Sequence, residues 1–422
     1  MVVAVVTFSP SLRPVESIAT TVWVRLCASI PSSNVHGGVL RSGRWQHRMV
    51  GAMSSAEDAT GFEAVGLFDP SDAIVGRLEL LRWLVEQGFT VDEMLDALAA
   101  GRLSGLPGDR RLFAGPLLRR DEAIAASSLE VHELEDGVRA FGFSGLERSP
   151  DGEIGVTAEE ASAIATFTAF GRMFTSEEAH AFFRVIGSSV ARIADAAVSL
   201  FLADVESRSI AAGESELELA RKVHDAVALL DGFTVALDPI LRRHVMQAIE
   251  RSRKTTISVT ERLEYRYAIG FVDLVGFTQI AGAMAPHELA GFLRDFEARA
   301  HDAATAVGAR VVKMIGDEVM FVSSDASSAV AAGDALMEGL GSAYEHIVPR
   351  GALAYGDMLV RGGDYFGSVV NLASRLVDEA VPHELLVTEQ LASAAPDCEF
   401  EPAGRRMVKG FADPVVVLSL VH

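Results

Sequence analysis

The sequence predicts an α+β protein built in two parts: an all-α N-terminal domain, then a C-terminal domain of strands and helices packed as an α/β sandwich. Three observations predict this. Apolar residues recur at helical spacing from about Asp72 to Ser252. At Tyr267 the spacing switches to strand-like alternation. A polar stretch rich in Thr and Arg, Lys254–Leu263, separates the two patterns. With 422 residues, the chain has room for two or three domains.

Residues 1–60 are expected to be a disordered leader. Met1 to Met53 carry five arginines and a single acid, Glu16, among scattered Ser, Pro and Gly. The apolar start is broken by Arg13 and Arg25 and lacks a basic n-region, which argues against a secretory signal. Met49 and Met53 lie just ahead of the first organised segment, so translation could also start there.

Residues 61–236 are expected to form the helical domain. Arg77–Val85 places its apolar residues on one face and Gly88 suits the helix end. Thr90 is an N-cap for Val91–Ala100, which Gly101 ends. Further helices are expected at Arg120–Ala126, Glu130–Phe141, Ala158–Phe170, Ser176–Val205 and Glu214–Leu230. Arg120–Phe143 has helix–turn–helix spacing, yet its second helix carries Glu130, Glu133, Glu135 and Asp136, so an ordinary helical hairpin is expected there. Residues 237–263 read as a linker helix, Pro239–Arg253, followed by a hinge.

Composition excludes several classes of function. The net charge of -21 repels phosphate backbones, so nucleic acid is not an expected partner. Two cysteines, Cys27 and Cys398, form neither a disulfide framework nor a zinc pattern and suit a reducing, cytoplasmic setting. The most apolar stretch, Ile193–Val205, is interrupted by Asp195 and Asp204, so no transmembrane segment is expected. Lysine occurs only at Lys222, Lys254, Lys313 and Lys409, which singles out each position where it is used.

Residues 264–422 carry the chemistry. Tyr267–Asp273 reads as a buried strand that delivers a carboxylate to the turn Leu274–Thr278 at a helix start, where a cation and free amides can meet phosphate. Ala309–Val322 reads as a β-hairpin with Gly316-Asp317 at its tip. Lys313 stands four residues before that second carboxylate, and two carboxylates can hold a pair of divalent cations around a triphosphate. From Val369 the pattern is helical, so Asn371 and Arg375, spaced i and i+4, share a face. Strand, helix, β-hairpin, helix and further strands describe a ferredoxin-like α/β sandwich.

Three segments, Phe271-Val-Asp-Leu-Val-Gly-Phe-Thr278, Lys313-Met-Ile-Gly-Asp-Glu-Val319 and Asp364-Tyr-Phe-Gly-Ser-Val-Val-Asn-Leu-Ala-Ser-Arg375, resemble the signature blocks of class III adenylyl/guanylyl cyclases, in family order. The resemblance covers about Arg266 to Val421, and Leu274 and Phe366 are its mild, apolar departures. It implies the same sandwich fold, the class III cyclase homology domain, and conversion of ATP to cyclic AMP. Asp273 and Asp317 would bind two divalent cations per site, Mg²⁺ or Mn²⁺. Lys313 would donate to the purine N1 and Asp364 would accept from the exocyclic amine, an order that matches adenine and disfavours guanine. Asn371 would orient the ribose, Arg375 would stabilise charge on the α-phosphoryl group, and Lys409 would contact phosphate. Phe277 and Thr278 stand in the first block, at the helix start that faces substrate.

The resemblance further implies a head-to-tail homodimer. One chain would supply Asp273 and Asp317, its partner Lys313, Asp364, Asn371 and Arg375. The helical N-terminal domain resembles the regulatory half of actinobacterial cyclases, and a small ligand or a proton acting there, with His244 and His346 as titrating candidates, would shift the catalytic dimer. The alternatives are a catalytically silent nucleotide-sensing module, a guanylate cyclase, and a diguanylate cyclase, whose turn motif Arg361–Phe366 superficially resembles. An acidic residue after Asp364 is missing, and the segment is expected to lead into a helix instead of capping a hairpin.

Overall fold

A computed structural model describes residues 55–71, 74–112, 115–143, 155–255, 264–343 and 347–421. The chain divides into two compact units at Asp238/Pro239. The expected leader lies outside the described residues except at its end, where helix α1 (Ser55–Ala64) begins.

The first unit is helical throughout its described residues. Helices α2 (Arg77–Glu86) and α3 (Val91–Ala99) bury Leu80, Leu81, Leu84, Met94 and Ala97 in one core. Thr90 caps α3 through a reciprocal capping box with Glu93, as its sequence predicts. A short helix α4 (Leu106–Leu112) follows. Helices α5 (Arg120–Ser127), α6 (Val131–Phe141) and α7 (Ala158–Gly171) surround a second core of Leu129, Leu134, Val138 and Ile164. The helix–turn–helix segment is thus the expected helical hairpin.

Two expectations for this region need correction. The helix expected at Ser176–Val205 is α-helical only to Phe201 (α8); Leu202–Glu206 is a π-helical segment, and α9 (Ser207–Ala211) follows. Taken as one rod, Ser176–Ala211 is by length and composition apolar enough to cross a membrane, and 11% of its most apolar stretch is buried. Arg192 and Asp195 dilute that stretch without outweighing its Ala, Val, Ile, Leu and Phe. The two helices expected on either side of residues 231–238 are one helix, α10 (Glu216–Thr255), 40 residues long with Pro239 in its interior. Proline removes one donor to the residue four earlier, and the remaining hydrogen bonds carry the helix past it. The expected hinge beyond Thr255, residues 256–263, lies outside the described residues.

In the second unit, β1 (Glu264–Val275), α11 (Phe277–Ala283), α12 (Pro286–Ala306), β2 (Arg310–Ile315), β3 (Glu318–Ser323), α13 (Ala326–Ala343) and β4 (Val348–Arg361) follow in order. Next come β5 (Asp364–Phe366), α14 (Ser368–Glu379), β6 (Leu385–Thr388), α15 (Glu389–Ala394), β7 (Phe400–Arg406) and β8 (Val415–Leu420). The sheet order is β2-β3-β1-β4-β6-β8-β7, with β5 paired to β4. Its first four strands are the ferredoxin-like order expected from the sequence, all antiparallel neighbours. Alternation on β1 serves two cores. Ala268, Val272 and Leu274 join Phe292, Phe296, Val330 and Leu336 on one face, while Tyr267, Ile269 and Phe271 join Ala373, Leu376 and Val377 of α14 on the other. The Arg361–Phe366 segment departs from expectation: Gly362 (φ 61°) and Gly363 (φ 82°) form a two-residue turn that does cap a hairpin, β4–β5, before the chain enters α14.

Candidate active site

Strand parity places the first carboxylate. Asp273 has the parity of Tyr267, Ile269 and Phe271, so it emerges on the face that α14 covers. Its cross-strand partner on β4 is Arg350. Arg350 Nε and Nη2 both donate to Asp273 Oδ2, at 3.0 and 2.9 Å. The same guanidinium donates to the Asp378 carbonyl oxygen at 3.0 Å and to its carboxylate at 3.3 Å, at the end of α14. Gly276, in the left-handed conformation at φ 80°, ends β1 and opens α11.

The second carboxylate arrives from the β2–β3 turn. Gly316 takes φ 67° at its tip, and Asp317 follows it. Because β3 lies beside β1, with Val319 opposite Val272, the turn comes out level with Asp273. Burial and then the negative charge of Asp273 raise the Asp317 carboxyl above its ordinary range. Neighbouring Glu318 is pushed up to about 7, by burial first and then by Asp273, Asp378 and Asp317. The two aspartates predicted from the sequence therefore lie close enough to repel each other, and four carboxyl groups face one guanidinium.

That excess of negative charge is the test for a cation. Among the described residues, no group of three or more His, Cys, Asp or Glu is spaced to hold a metal ion by itself. Magnesium is commonly held by one or two carboxylates and completed by substrate phosphates and water. Asp273 and Asp317 fit that requirement: they are acceptor-only ligands whose mutual repulsion a cation would relieve. Sequence reasoning missed Arg350 and Glu318. Glu318 adjoins a chosen aspartate and could have been found by that proximity. Arg350 reaches Asp273 across 77 positions, through strand pairing that no local pattern reveals.

A second cluster gathers the residues expected to read the base. Lys313 Nζ and Asp364 Oδ2 are 2.5 Å apart, with 40% and 32% of their side chains exposed. The other Asp364 oxygen accepts the Tyr365 backbone N–H at 2.9 Å. On α14, Asn371 is exposed and Arg375 half-buried, one turn apart on the same side. Arg375 Nη1 donates to the Lys409 backbone carbonyl, which brings the loop before β8 to this helix. The Lys409 side chain itself is exposed.

Phe277 and Thr278 divide. Thr278 is exposed on the first turn of α11. The Phe277 ring is buried and stacked on Phe292, with centroids 5.0 Å apart, so its expected substrate contact can come only from its backbone N–H. His244 is exposed on α10, and His346 lies outside the described residues. No hydrogen bond or ion pair among the described residues joins the acid cluster to the base-reading cluster within one chain.

No family model matches the sequence. The uncharacterized protein Rv2212 of Mycobacterium tuberculosis is 34% identical over 372 residues, covering 87% of this chain and 95% of that protein. An adenylate cyclase of Glutamicibacter nicotianae is 26% identical over 387 residues, 86% of this chain and 90% of its own length. The pH-sensitive adenylate cyclase MT1302 of Mycobacterium tuberculosis is 27% identical over 363 residues, 80% and 86% of the two chains. The solved adenylyl cyclase CyaB from P. aeruginosa is 24% identical, with a TM-score of 0.35, over 38% of this chain and 95% of that one. The chain belongs to the class III adenylyl/guanylyl cyclase family. Within that family, its relatives of comparable length that carry a functional name are adenylate cyclases.

Proposed function

We propose that this adenylate cyclase converts ATP to 3′,5′-cyclic AMP and pyrophosphate, at sites shared between the two chains of a homodimer. The observation that carries the reading is the convergence of Asp273 and Asp317 at one end of the sheet, where β1 and the β2–β3 turn come level and the charge of Asp273 helps raise the Asp317 carboxyl. Held by these two carboxylates, divalent cations, Mg²⁺ or Mn²⁺, would neutralise the triphosphate and acidify the ribose 3′-hydroxyl. The hydroxyl oxygen attacks the α-phosphorus in line, and the bond to pyrophosphate breaks.

The chain's own residues do the rest. Lys313 and Asp364 exchange their mutual ion pair for the adenine edge: the ammonium donates to N1, and the carboxylate accepts from the exocyclic amine. Guanine reverses both positions and would leave both groups unpaired. Asn371 orients the ribose, and Arg375 offers its guanidinium to charge developing on the α-phosphoryl oxygens. Lys409 and the first-turn amides of Phe277 and Thr278 face the phosphates. The separateness of the two clusters in one chain favours the shared site, since a partner's base-reading cluster can face the acid cluster. The helical N-terminal half governs the activity, through a small ligand or a proton.

Cyclic nucleotide production from ATP and from GTP, with Mg²⁺ and with Mn²⁺, tests the reaction: ATP is expected to be the better substrate, and equal use of GTP would overturn the base reading. Mixing the Asp273→Ala chain with the Arg375→Ala chain tests the sharing. Each is expected to be inactive alone, and activity should return in mixed dimers. Demonstrably mixed dimers without activity would exclude shared sites.

A further inference from the structure

Over their paired stretch, β2 uses six residues, Arg310–Ile315, where β3 uses five, Glu318–Val322. Pairing with β3 runs regularly to Val311 and resumes at Lys313, so Val312 is a β-bulge. The cores record the consequence. Val311 and Met314, three apart, pack into the same core, while Val312 packs into the opposite one. In an unbroken strand Lys313 would follow Val311 into the core beneath α12 and α13. The bulge turns it instead to the face where Asp364 waits, and sets it on the same side as Arg310.

Arg310 meets the same hairpin. Its Nη2 lies 3.4 Å from the Gly363 carbonyl oxygen and 3.4 Å from the Tyr365 hydroxyl, and the guanidinium stands 5.7 Å from the centre of the Tyr365 ring. These two contacts flank Asp364 on either side. Tyr365 is buried at 5% exposure and packs edge-on against Tyr267 at 5.2 Å, so the hairpin is anchored from beneath as well. The Arg310 Nε is buried and makes no hydrogen bond among the described residues, which is an odd placement for a residue kept for stability alone.

We propose that Arg310 is a positioning residue for nucleotide selection: together with the Val312 bulge, it holds the Gly363–Tyr365 segment so that Asp364 stays opposite Lys313 and the pair is presented as one preformed reader of the adenine edge. This rests on the assignment of Lys313 and Asp364 to the base. Its chemistry is geometric. A carboxylate directly after a two-residue turn can swing unless the residues before and after it are tied, and Arg310 ties both.

The test compares the full-length Arg310→Ala, Arg310→Lys and Tyr365→Phe variants with the parent enzyme, measuring kcat and KM for ATP and for GTP. In Arg310→Ala, KM for ATP should rise about tenfold and the preference for ATP over GTP should fall about tenfold, with kcat held within about twofold. Arg310→Lys should recover part of both, because an ammonium reaches one of the two acceptors. Tyr365→Phe, which removes one acceptor and keeps the ring, should move both in the same direction by a smaller factor. A fall in kcat with KM and nucleotide preference unchanged would reduce Arg310 to a structural residue and overturn the proposal. So would an unaltered preference in both Arg310→Lys and Tyr365→Phe, even if Arg310→Ala fails to fold. Lys313→Ala serves as the reference. If it too leaves the ATP/GTP choice untouched, the base assignment itself fails; if it alone changes the choice, only the role of Arg310 falls.

Discussion

The two ends of the site solve opposite electrostatic problems. At the end proposed to read the base, Lys313 and Asp364 pair with each other without a ligand. At the acid end, Asp273, Asp317, Glu318 and Asp378 share one guanidinium, and two of these carboxyls, Asp317 and Glu318, are raised by burial and then by the charge of Asp273. A neutralised pair must be broken to bind a base, which favours discrimination. An under-neutralised cluster gains from any cation, which favours catalysis. The fold separates the tasks by delivering one from the β1 end and the β2–β3 turn, and the other from the β4–β5 turn.

The contrast can be broken most severely at the acid end. Asp317→Ala should lower cyclic AMP production by about three orders of magnitude with ATP affinity less affected, as assays of turnover and nucleotide binding would show. Arg375→Ala should cost about a hundredfold or more in kcat, because its proposed role is to act on charge that develops during the reaction. At the other end, Lys313→Ala should leave a working enzyme with a raised KM for ATP and an ATP/GTP preference lowered by about tenfold to a hundredfold, read from parallel assays.

The smallest effect sharpens the contrast through pH. Glu318 holds its proton up to about pH 7 in the folded chain, against 4.5 for its ordinary value. Between those two values the folded state binds more protons than the unfolded one, so stability falls as pH rises through the window and is level outside it. Glu206 behaves alike from burial alone: it is 3% exposed, neither carboxyl oxygen has a hydrogen-bond partner among the described residues, and it too is raised to about 7. Chemical denaturation from pH 4.5 to 8, without divalent cations, should show this slope reduced in Glu318→Gln and in Glu206→Gln and smallest in the double variant. Added Mg²⁺ should shift the Glu318 contribution and leave that of Glu206 in place. A slope unchanged by either substitution would contradict the burial of these two carboxyls.

Much of the fold was legible because its signals are local. Thr90 with Glu93, the alternation of Tyr267–Asp273, and Gly316-Asp317 between two apolar arms each act over a few residues. The polar residues proposed for the site lie on such elements, so the elements that carry them were legible. What escaped was non-local or a matter of register. Arg350 reaches Asp273 only through the pairing of β1 with β4. The Val312 bulge leaves no mark in composition. Pro239 looked like a helix boundary because a proline usually costs a helix its continuity, yet α10 passes through it. Phe277 looked like a substrate contact because of the block it stands in, while its size and apolarity sent the ring to the core.

The turn at Gly362-Gly363 has a consequence for how such a chain can change over time. Both residues occupy left-handed backbone, and Asp364 is the first residue after them. Along an extended strand, each added position reverses the direction in which a side chain points. Inserting one amino acid here would rotate the carboxylate away from its lysine without altering a single neighbour's chemistry. If the proposed base reading holds, choice between nucleotides is stored partly as the odd or even length of a loop, a form of information that substitutions alone neither write nor erase.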